Sequence, residues 1–264
     1  MDLLLFIVML LAVGCGVGVI SAALGVGGGV LMVPAFVYAF PAMDMNTAKG
    51  SSLLAIAFVA GFNSWRMNRG EMRSPWSVVG ALAGGALVGG FVGSWITGQL
   101  NDTTVTWVFV AMLGTAASQT FFMKERFVPE EDVRRRQAIA VAIGLGAGIV
   151  GGATGTGGGS ILVPFALLAG VVSNARVVAL SNSVMVVMAS AGMVAHLMSA
   201  KTSEMAYTYG LVNVAVVPLV VVGAILCAPV GRRINRALSV ERRRVVMGSL
   251  LIVMAARLAF RALG

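Results

Sequence analysis

Two glycine runs, each ending in a valine and a proline, are the residues of this chain best suited to hold a ligand. They are Gly25-Val26-Gly27-Gly28-Gly29-Val30-Leu31-Met32-Val33-Pro34 and Gly155-Thr156-Gly157-Gly158-Gly159-Ser160-Ile161-Leu162-Val163-Pro164. Glycine and proline at this density interrupt a helix and free backbone N–H and C=O groups. Hydrocarbon tolerates such groups only where protein buries them or where they line a cavity.

The chemistry available to these runs is the binding of an anion by backbone amides. Each run predicts a short helix, over 30–40 and 160–170, whose N-terminus carries unpaired N–H groups and a partial positive charge. We expect the two N-termini to meet at mid-depth. The predicted substrate-binding residues of the runs are Gly27, Gly28, Gly29, Pro34, Gly157, Gly158, Gly159 and Pro164. Tight helix crossing, for which small residues are also enriched in membranes, is the alternative explanation.

A second set of candidate ligands carries hydroxyl and amide groups on the helix that follows each run. These residues are Ser51, Ser52, Asn63, Ser181, Asn182 and Ser183. Each is costly in hydrocarbon unless it has a partner. A bound substrate would satisfy them, and so would hydrogen bonds between helices. Ser51, Ser52 and Asn182 are the stronger candidates because they open the helix after the run.

Two cations and one histidine could act near the membrane faces. Lys49 and Arg176 occupy similar places in the two halves, and we predict that they attract an anion at opposite entrances. Snorkelling of both side chains to the interface is the alternative. His196, the single histidine of the sequence, lies at a predicted helix end, which favours a surface or capping role over a proton relay.

The acidic residues are informative by their position. All ten fall in predicted loops or at the ends of predicted segments. A cation carrier or a carboxylate-based proton relay would keep at least one of them mid-membrane. The pattern favours an anionic or neutral substrate held by dipoles and neutral donors. Coupling to H⁺ or Na⁺ stays open, because histidine can carry a proton and backbone carbonyls can hold Na⁺.

The elements that must position these residues are membrane-spanning helices. Hydrophobic residues make up 58% of the 264 residues and charged residues 11%, whereas soluble domains are about 25% charged. Most apolar runs are close to the roughly 20 residues that a span needs. They fall at about 3–24, 48–65, 75–98, 104–123, 137–154, 177–197, 206–230 and 245–260. We therefore predict an all-α polytopic membrane protein.

The orientation of the chain in the membrane explains its net charge of +9. Its basic residues lie in short loops beside apolar helices, as the positive-inside rule describes. Nucleic-acid binding is not expected, because no basic domain with interleaved aromatic residues is present. Cys15 and Cys227 lie within apolar runs and are interpreted as small buried hydrophobic residues, not as a disulfide or a metal pair.

The chain is one duplicated unit. Residues 14–34 align with 144–164 without a gap and with ten identities, which include the motif glycines and the Val-Pro pair. We predict a first transmembrane repeat over 1–123, a cytoplasmic connector with a short polar helix over 124–136, and a second repeat over 137–264. The three parts form one integrated membrane domain.

The loop charges predict that the second repeat is inverted. Basic loops at 66–73, 124–136 and 231–244 would be cytoplasmic, and the less basic loops at 99–103 and 198–205 external. This arrangement needs an odd number of crossings in each half. Five crossings result if the short helices complete a crossing, and three if each glycine segment forms a re-entrant hairpin. We favour five plus five over three or four, with both termini outside.

The doubled G-x-G-G-G-x-x-x-V-P pattern, each copy followed by a Ser-rich helix, resembles the sulfite exporter TauE/SafE family of bacterial membrane transporters. The resemblance covers nearly the whole chain. It implies a multi-pass inner-membrane protein that exports small sulfur-containing or organic anions, such as sulfite, sulfonates or sulfoacetate.

These observations predict a secondary transporter that exports a small anion by alternating access around a midplane site. An anion channel and a non-transporting membrane assembly subunit are the alternatives. An enzyme is not expected, because the H-E-x-x-H, G-x-S-x-G and G-x-x-x-x-G-K-[ST] motifs are missing, and we expect no cofactor or metal. The expected partners are the anion, the bilayer and a coupling ion. The stripe Gly85, Gly89 and Gly93 predicts close internal packing or a homodimer seam.

Overall fold

The computed structural model describes residues 3–24, 29–69, 73–122, 127–133, 136–201, 203 and 205–263. Ten α-helices lie within these ranges: α1 (Leu3–Leu24), α2 (Gly29–Ala39), α3 (Met45–Met67), α4 (Trp76–Gln99), α5 (Asp102–Phe122), α6 (Gln137–Thr154), α7 (Gly159–Leu168), α8 (Val177–Leu197), α9 (Val217–Ala237) and α10 (Val240–Leu263). Two short strands, β1 (Thr208–Tyr209) and β2 (Val212–Asn213), pair antiparallel. The predicted all-α architecture is confirmed.

Most of the helices have the length and composition of membrane spans. Within the described ranges seven qualify, namely α1, α4, α5, α6, α8, α9 and α10. The remaining long helix, α3, has 23 residues and carries Lys49 and Arg66. The helices α2 and α7 have 11 and 10 residues and rise only about 15 Å each. Both begin at the last glycine of their run, one residue before the predicted starts at 30 and 160.

Two sequence predictions of local structure are wrong. The run 206–230 is not one helix, because Gly210 takes a φ of +55° between β1 and β2 and the chain forms a hairpin before α9. The predicted loop 231–244 is mostly helical, because α9 continues to Ala237 and α10 begins at Val240. The described part of the connector holds a short polar 3-10 helix at Glu130–Asp132, where the sequence predicts a short polar helix.

The first helix of each half packs along the fourth helix of the other half. Thus α1 lies along α9, and α6 lies along α4. Gly14 touches the backbone of Val220 and Gly18 that of Ala224, so α1 and α9 run parallel. A Cβ on either glycine would overlap the neighbouring backbone, so only glycine permits this approach. On α4 the residues that touch the α6 backbone in the same way are Gly85, Gly89 and Gly93. The glycine stripe therefore serves internal packing.

The third helices of the two halves, α3 and α8, run antiparallel. Ser64 near the end of α3 lies 2.8 Å from Ser183 near the start of α8, between their hydroxyl oxygens. Near the other ends of the two helices, Leu53 packs close to Gly192. Helices at matching positions thus point in opposite directions, which is the relation that an inverted repeat requires.

Cys15 of α1 and Cys227 of α9 form a disulfide, with their Cα atoms 5.0 Å apart. The sequence interpretation of two unpaired cysteines is wrong. The parallel packing of α1 on α9 brings together two residues that lie 212 positions apart in the chain, a contact that no local pattern indicates. The bond holds two neighbouring helices of opposite halves together.

Candidate functional site

The two glycine segments meet inside the protein. Gly29, the first residue of α2, is buried and lies against the backbone carbonyl of Thr156 in the second segment. Ile56 of α3 contacts both segments: its Cδ1 lies 2.6 Å from where a Cβ on Gly29 would stand, and its Cγ2 lies 3.0 Å from the same position at Gly157. Gly27 and Gly28 lie outside the described residues.

The second segment depends on glycine for its backbone shape. Gly155, Gly157 and Gly158 have φ values of +72°, +73° and +61°, a region that costs other residues about 1–2 kcal/mol each. The first amides of a helix have no carbonyl partners within that helix. At the N-terminus of α7, which begins at Gly159, no side chain caps them either. Ser52 donates a hydrogen bond of 2.9 Å to the carbonyl of Gly155 and holds the segment against α3.

Pro34 and Pro164 lie inside α2 and α7, six residues into each short helix. A proline at this place removes an N–H and frees the carbonyl four residues earlier. Neither ring lines the cavity described next. Their effect is to shape the two short helices.

A cavity of about 210 Å³ lies between α1, α2, α3, α8 and α9. Its polar lining residues are Ser21, Asn63, Arg66, Asn182 and Arg232. None of the described residues that line it is acidic. Asn63 and Asn182 were both predicted as substrate-binding residues, and the fold brings them to one cavity.

The two arginines of the cavity are not neutralised by any carboxylate that the structure describes. Neither Arg66 nor Arg232 makes an ion pair or a hydrogen bond with any residue that the structure describes. They lie close enough for their like charges to interact. Asn63 also makes no hydrogen bond within the described chain, whereas Asn182 donates its amide to the carbonyl of Val178 at 2.8 Å. Unpaired guanidinium groups beside free amide atoms suit an anion.

Three apolar side chains, Met32, Ile56 and Met185, form the buried end of the cavity. They are 1%, 2% and 5% exposed. The Cε of Met185 lies 3.1 Å from where a Cβ on Gly157 would stand. Ile56 and Met185, which both lie against Gly157, therefore separate the cavity from the second glycine segment. Methionine has an unbranched, flexible side chain, so this barrier can open by rotamer changes.

The three remaining hydroxyl candidates contact other parts of the fold. Ser51 accepts a hydrogen bond of 2.9 Å from the amide of Asn213 in the hairpin. Ser183 joins α8 to α3 through the hydroxyl of Ser64. Ser181 is buried beside Met185, with its Oγ 3.7 Å from the sulfur. In this state none of the three lines the cavity.

The two cations predicted at the entrances, Lys49 and Arg176, do not lie at open entrances in this structure. Lys49 is wholly buried, and its Nζ donates a hydrogen bond of 2.8 Å to the hydroxyl of Thr97. Because α4 covers this part of α3, Lys49 is closed off from the membrane face in this structure. Arg176, near the other end of the bundle, forms an ion pair of 2.5 Å with Glu130, which neutralises its charge.

His196 is also fully buried, so its predicted surface role is wrong. The β1–β2 hairpin covers the last turn of α8, and the amide of Leu211 donates a hydrogen bond of 3.0 Å to the carbonyl of His196. The sequence could not show this cover, because the hairpin lay within a run predicted to be helical.

Sequence reasoning missed Arg66 and Arg232 as site residues, because loop charge explains both as orientation signals. A different signal was present. Asn63 and Arg66 are three residues apart, and Ala228 and Arg232 are four apart, so each pair shares one helix face if the helix continues. Both helices do continue, and each pair lines the cavity.

The fold defines a polytopic helical membrane protein with a cavity between its helices. The profile of the sulfite exporter TauE/SafE family matches residues 10–258. The chain therefore belongs to the sulfite exporter TauE/SafE family.

Relatives with curated names agree. A probable membrane transporter protein of Haemophilus influenzae is 28% identical over 162 residues, which is 60% of each chain. One from Methanocaldococcus jannaschii is 22% identical over 96% of this chain and 95% of its own. One from Bacillus subtilis is 24% identical over 97% and 98%. The alignments with two Haemophilus influenzae relatives span only 60% and 64% of those proteins. No solved structure matches this chain significantly.

Proposed function

We propose that this protein is a secondary transporter of the cell inner membrane that exports a small anion by alternating access. The observation that carries the proposal is the cavity lined by Arg66 and Arg232 with no acidic residue among its described lining. The relatives' names support a transporter, and the family name supports a sulfur oxyanion. The proposed substrates are sulfite, an organosulfonate such as sulfoacetate, or a related organic anion.

In the proposed path the anion enters the cavity and the two guanidinium groups offset its charge. Asn63 and Asn182 supply further polar contacts. Movement of Ile56 and Met185 would then admit the anion to the glycine segments, whose amides replace its water at mid-depth. The central binding site would consist of Gly27, Gly28, Gly29, Gly157, Gly158 and Gly159, with Ser52 positioning the second segment.

The proposal includes an inverted repeat, with halves at 1–123 and 137–264 joined by a cytoplasmic connector. Two packing features support it. The helices α3 and α8 pack antiparallel, and the first helix of each half packs along the fourth helix of the other half. The cavity is lined by Arg66 and Arg232, near the C-terminal ends of α3 and α9, and the positive-inside rule makes that face cytoplasmic. Outward movement of an anion along the membrane potential is favourable, and H⁺ or Na⁺ coupling would add to it.

A homodimer is a further part of the proposal. The stripe of Gly85, Gly89 and Gly93 already packs on α6 and cannot form the seam. Gly80 and Gly84 on α4 have open space where a Cβ would lie, so a close helix contact with a second copy would use this line of α4.

Flux into proteoliposomes tests the transport proposal. Radiolabelled sulfite, sulfoacetate and acetate are offered to the wild type and to the Arg66→Gln and Arg232→Gln variants. We expect saturable uptake of at least one anion and a loss of tenfold or more in kcat/KM for each variant, because each removes one charge-assisted contact worth about 1.5–3 kcal/mol. Exchange against the same anion inside the vesicle should accelerate uptake, as it does for a carrier and not for a channel.

The matched control is Arg69→Gln, whose guanidinium lies over the ring of Trp65 at 4.0 Å and does not line the cavity. Its transport should stay within twofold of the wild type. The proposal fails if the wild type moves none of the three anions, or if both cavity variants transport like the control. Uptake without exchange acceleration would favour the channel.

A further inference from the structure

A buried lysine lies on the other side of the glycine segments from the cavity. Lys49 is 0% exposed, and its ammonium group has one hydrogen-bond acceptor, the Thr97 hydroxyl at 2.8 Å. It forms no ion pair with any described carboxylate. Burying an ammonium group is costly unless it is paired, and the one described hydrogen-bond partner of Lys49 is a neutral hydroxyl.

Further buried polar groups near this part of α4 have no hydrogen-bond partner among the described residues. His196 is fully buried, and both of its ring nitrogens lack a partner among the described residues. Its Nδ1 lies 3.7 Å from where a Cβ on Gly98 would stand, directly after Thr97. The hydroxyl of Ser94, one turn earlier on α4, is 1% exposed and is likewise unpartnered within the described chain. Buried polar groups normally have partners, so this set calls for an explanation.

The nearest carboxylates are already engaged at the start of α3. Asp44 accepts the amide of Thr47 at 2.7 Å, and Asp102 accepts the amide of Met45 at 2.6 Å. Both attract Lys49 electrostatically without forming an ion pair with it. Because both carboxylates accept hydrogen bonds from backbone amides, the groups without an acidic partner among the described residues are the ammonium of Lys49 and the imidazole of His196, and both can donate to an oxyanion.

The position of this group relates it to the cavity. Ile56, at the buried end of the cavity, lies seven residues after Lys49 on α3, about 10 Å along the helix. Lys49 itself lies against Gly155 of the second glycine segment. The cavity and the lysine thus flank the glycine segments on opposite sides, and the lysine side is closed in this state.

We propose that Lys49, Ser94, Thr97 and His196 form a second anion-binding station on the transport path, on the opposite side of the glycine segments from the arginine-lined cavity. The inference rests on the proposed function and extends it to the face of the α4–α5 turn. Its ligand is the transported oxyanion, which accepts hydrogen bonds from the ammonium, hydroxyl and imidazole groups when α3 and α4 separate. Between these events Lys49 stays occluded against Thr97.

Vesicles of both orientations test this station. Sulfite, sulfoacetate and acetate uptake is measured in right-side-out and inside-out membrane vesicles. Lys49→Gln should raise the KM at least tenfold for the anion offered at the face of the α4–α5 turn, because one charge-assisted contact is lost. The KM at the cavity face should change less than twofold. Lys49→Arg, which keeps the charge, should stay within threefold of the wild type at both faces, and His196→Gln should raise the same KM as Lys49→Gln by about threefold.

The matched control is Lys201→Gln. Lys201 is an exposed lysine near the same face, and its ammonium donates to the carbonyls of Gln99 and Leu100 at 2.8 and 2.9 Å. It should leave both KM values unchanged. Thermal unfolding of each variant shows that it is folded. Lys49→Met serves as a second neutral variant, since it removes an uncompensated buried charge.

The outcomes separate the two proposals. If wild-type vesicles of either orientation take up none of the three anions, the proposed function fails and the station fails with it. If the wild type transports and the Lys49 variants match it at both faces, the station alone is wrong. An equal KM increase at both faces would assign Lys49 a structural role in joining α3 to α4, and this also overturns the station.

Discussion

The two sides of the glycine segments carry similar chemistry but differ in access. On one side Arg66 and Arg232 line an accessible cavity, and on the other Lys49 and His196 are 0% exposed. Neither side places a described carboxylate in an ion pair with its cations. A protein that binds an anion on both sides and opens one side at a time would have this asymmetry. Charge alone therefore does not mark the site, because the packing over each cation decides when that cation can bind a ligand.

The largest effect is expected where the barrier between the two sides is built. A Cβ at Gly29 would overlap the carbonyl of Thr156, and a Cβ at Gly158 would meet the carbonyl of Ala147 at a φ of +61°. Gly29→Ala and Gly158→Ala should each reduce anion flux more than a hundredfold and lower the unfolding temperature, because backbone has to move. Bulkier Gly158→Leu should do the same. Flux into proteoliposomes and thermal unfolding measure both effects.

The control for these variants is Gly16→Ala on α1, where a Cβ would meet open space. It should keep wild-type flux and gain up to about 1 kcal/mol of helix stability. Wild-type transport by both Gly29→Ala and Gly158→Ala would show that the glycine segments play no part in the path.

A smaller effect is expected when an acidic side chain is introduced into the cavity. Asn63→Asp keeps the side-chain shape and adds a negative charge beside the substrate. At an effective dielectric constant near 20, the added charge repels an anion at about 6 Å by roughly 3 kcal/mol. The KM at the cavity face should therefore rise between about tenfold and a hundredfold. Anion uptake by oriented vesicles measures it.

Asn101→Asp is the matched control, since Asn101 is exposed on the opposite face and its Oδ1 caps the amide of Thr104 at 2.8 Å. It should leave the cavity-face KM within twofold. A tighter-binding Asn63→Asp variant would indicate a cationic substrate and would contradict the anion cavity.

A modest effect is expected from the contact that ties α3 to the second glycine segment. Ser52→Ala removes the hydrogen bond to the carbonyl of Gly155 and leaves that carbonyl buried without this donor. The loss should lower the free energy of unfolding by about 1 kcal/mol and reduce flux severalfold. Ser77→Ala, on an exposed part of α4, should change neither quantity. Unfolding in detergent and flux are compared for the two variants, and equal behaviour would remove Ser52 from the account.

The smallest effect on transport is expected from the disulfide between α1 and α9. Replacing both Cys15 and Cys227 by alanine should lower stability by about 2–4 kcal/mol while leaving flux within twofold. The reason is that α1 and α9 still pack through Gly14 and Gly18. Reductant should destabilise the wild type and leave the double variant unchanged. A large loss of flux at unchanged stability would place this bond in the transport mechanism itself.

The sequence predicted the parts of this fold that depend on local pattern. The apolar runs at 3–24, 137–154 and 177–197 coincide with α1, α6 and α8, because each is long, apolar and free of breaks other than glycine. The prediction of one helical run over 206–230 was wrong, because hydropathy does not distinguish an apolar two-stranded hairpin from an apolar helix. The pairing of Cys15 with Cys227 failed because it depends on which helices are neighbours.

The candidate site was predictable to the same extent. Asn63 and Asn182 stand out in the sequence as amides within apolar helices, and both line the cavity. Arg66 and Arg232 were explained by loop charge, and only the continuation of α3 and α9 moves them to the cavity wall. The burial of Lys49 and His196 comes from α4 and the hairpin, which are distant in sequence. Long-range cover of this kind leaves no trace in local composition.

Thiol accessibility from each face tests the alternating account most directly. Cys15 and Cys227 are bonded to each other, so no other cysteine competes with a thiol introduced at Asn63 or Thr97. The account predicts that Asn63→Cys reacts with a membrane-impermeant reagent only from the cavity face, and Thr97→Cys only from the opposite face. Sulfoacetate, which unlike sulfite does not cleave disulfides, should raise labelling of Thr97→Cys and lower labelling of Asn63→Cys when it is offered at that opposite face. Simultaneous full labelling of both sites, or labelling of both from one face, would contradict it.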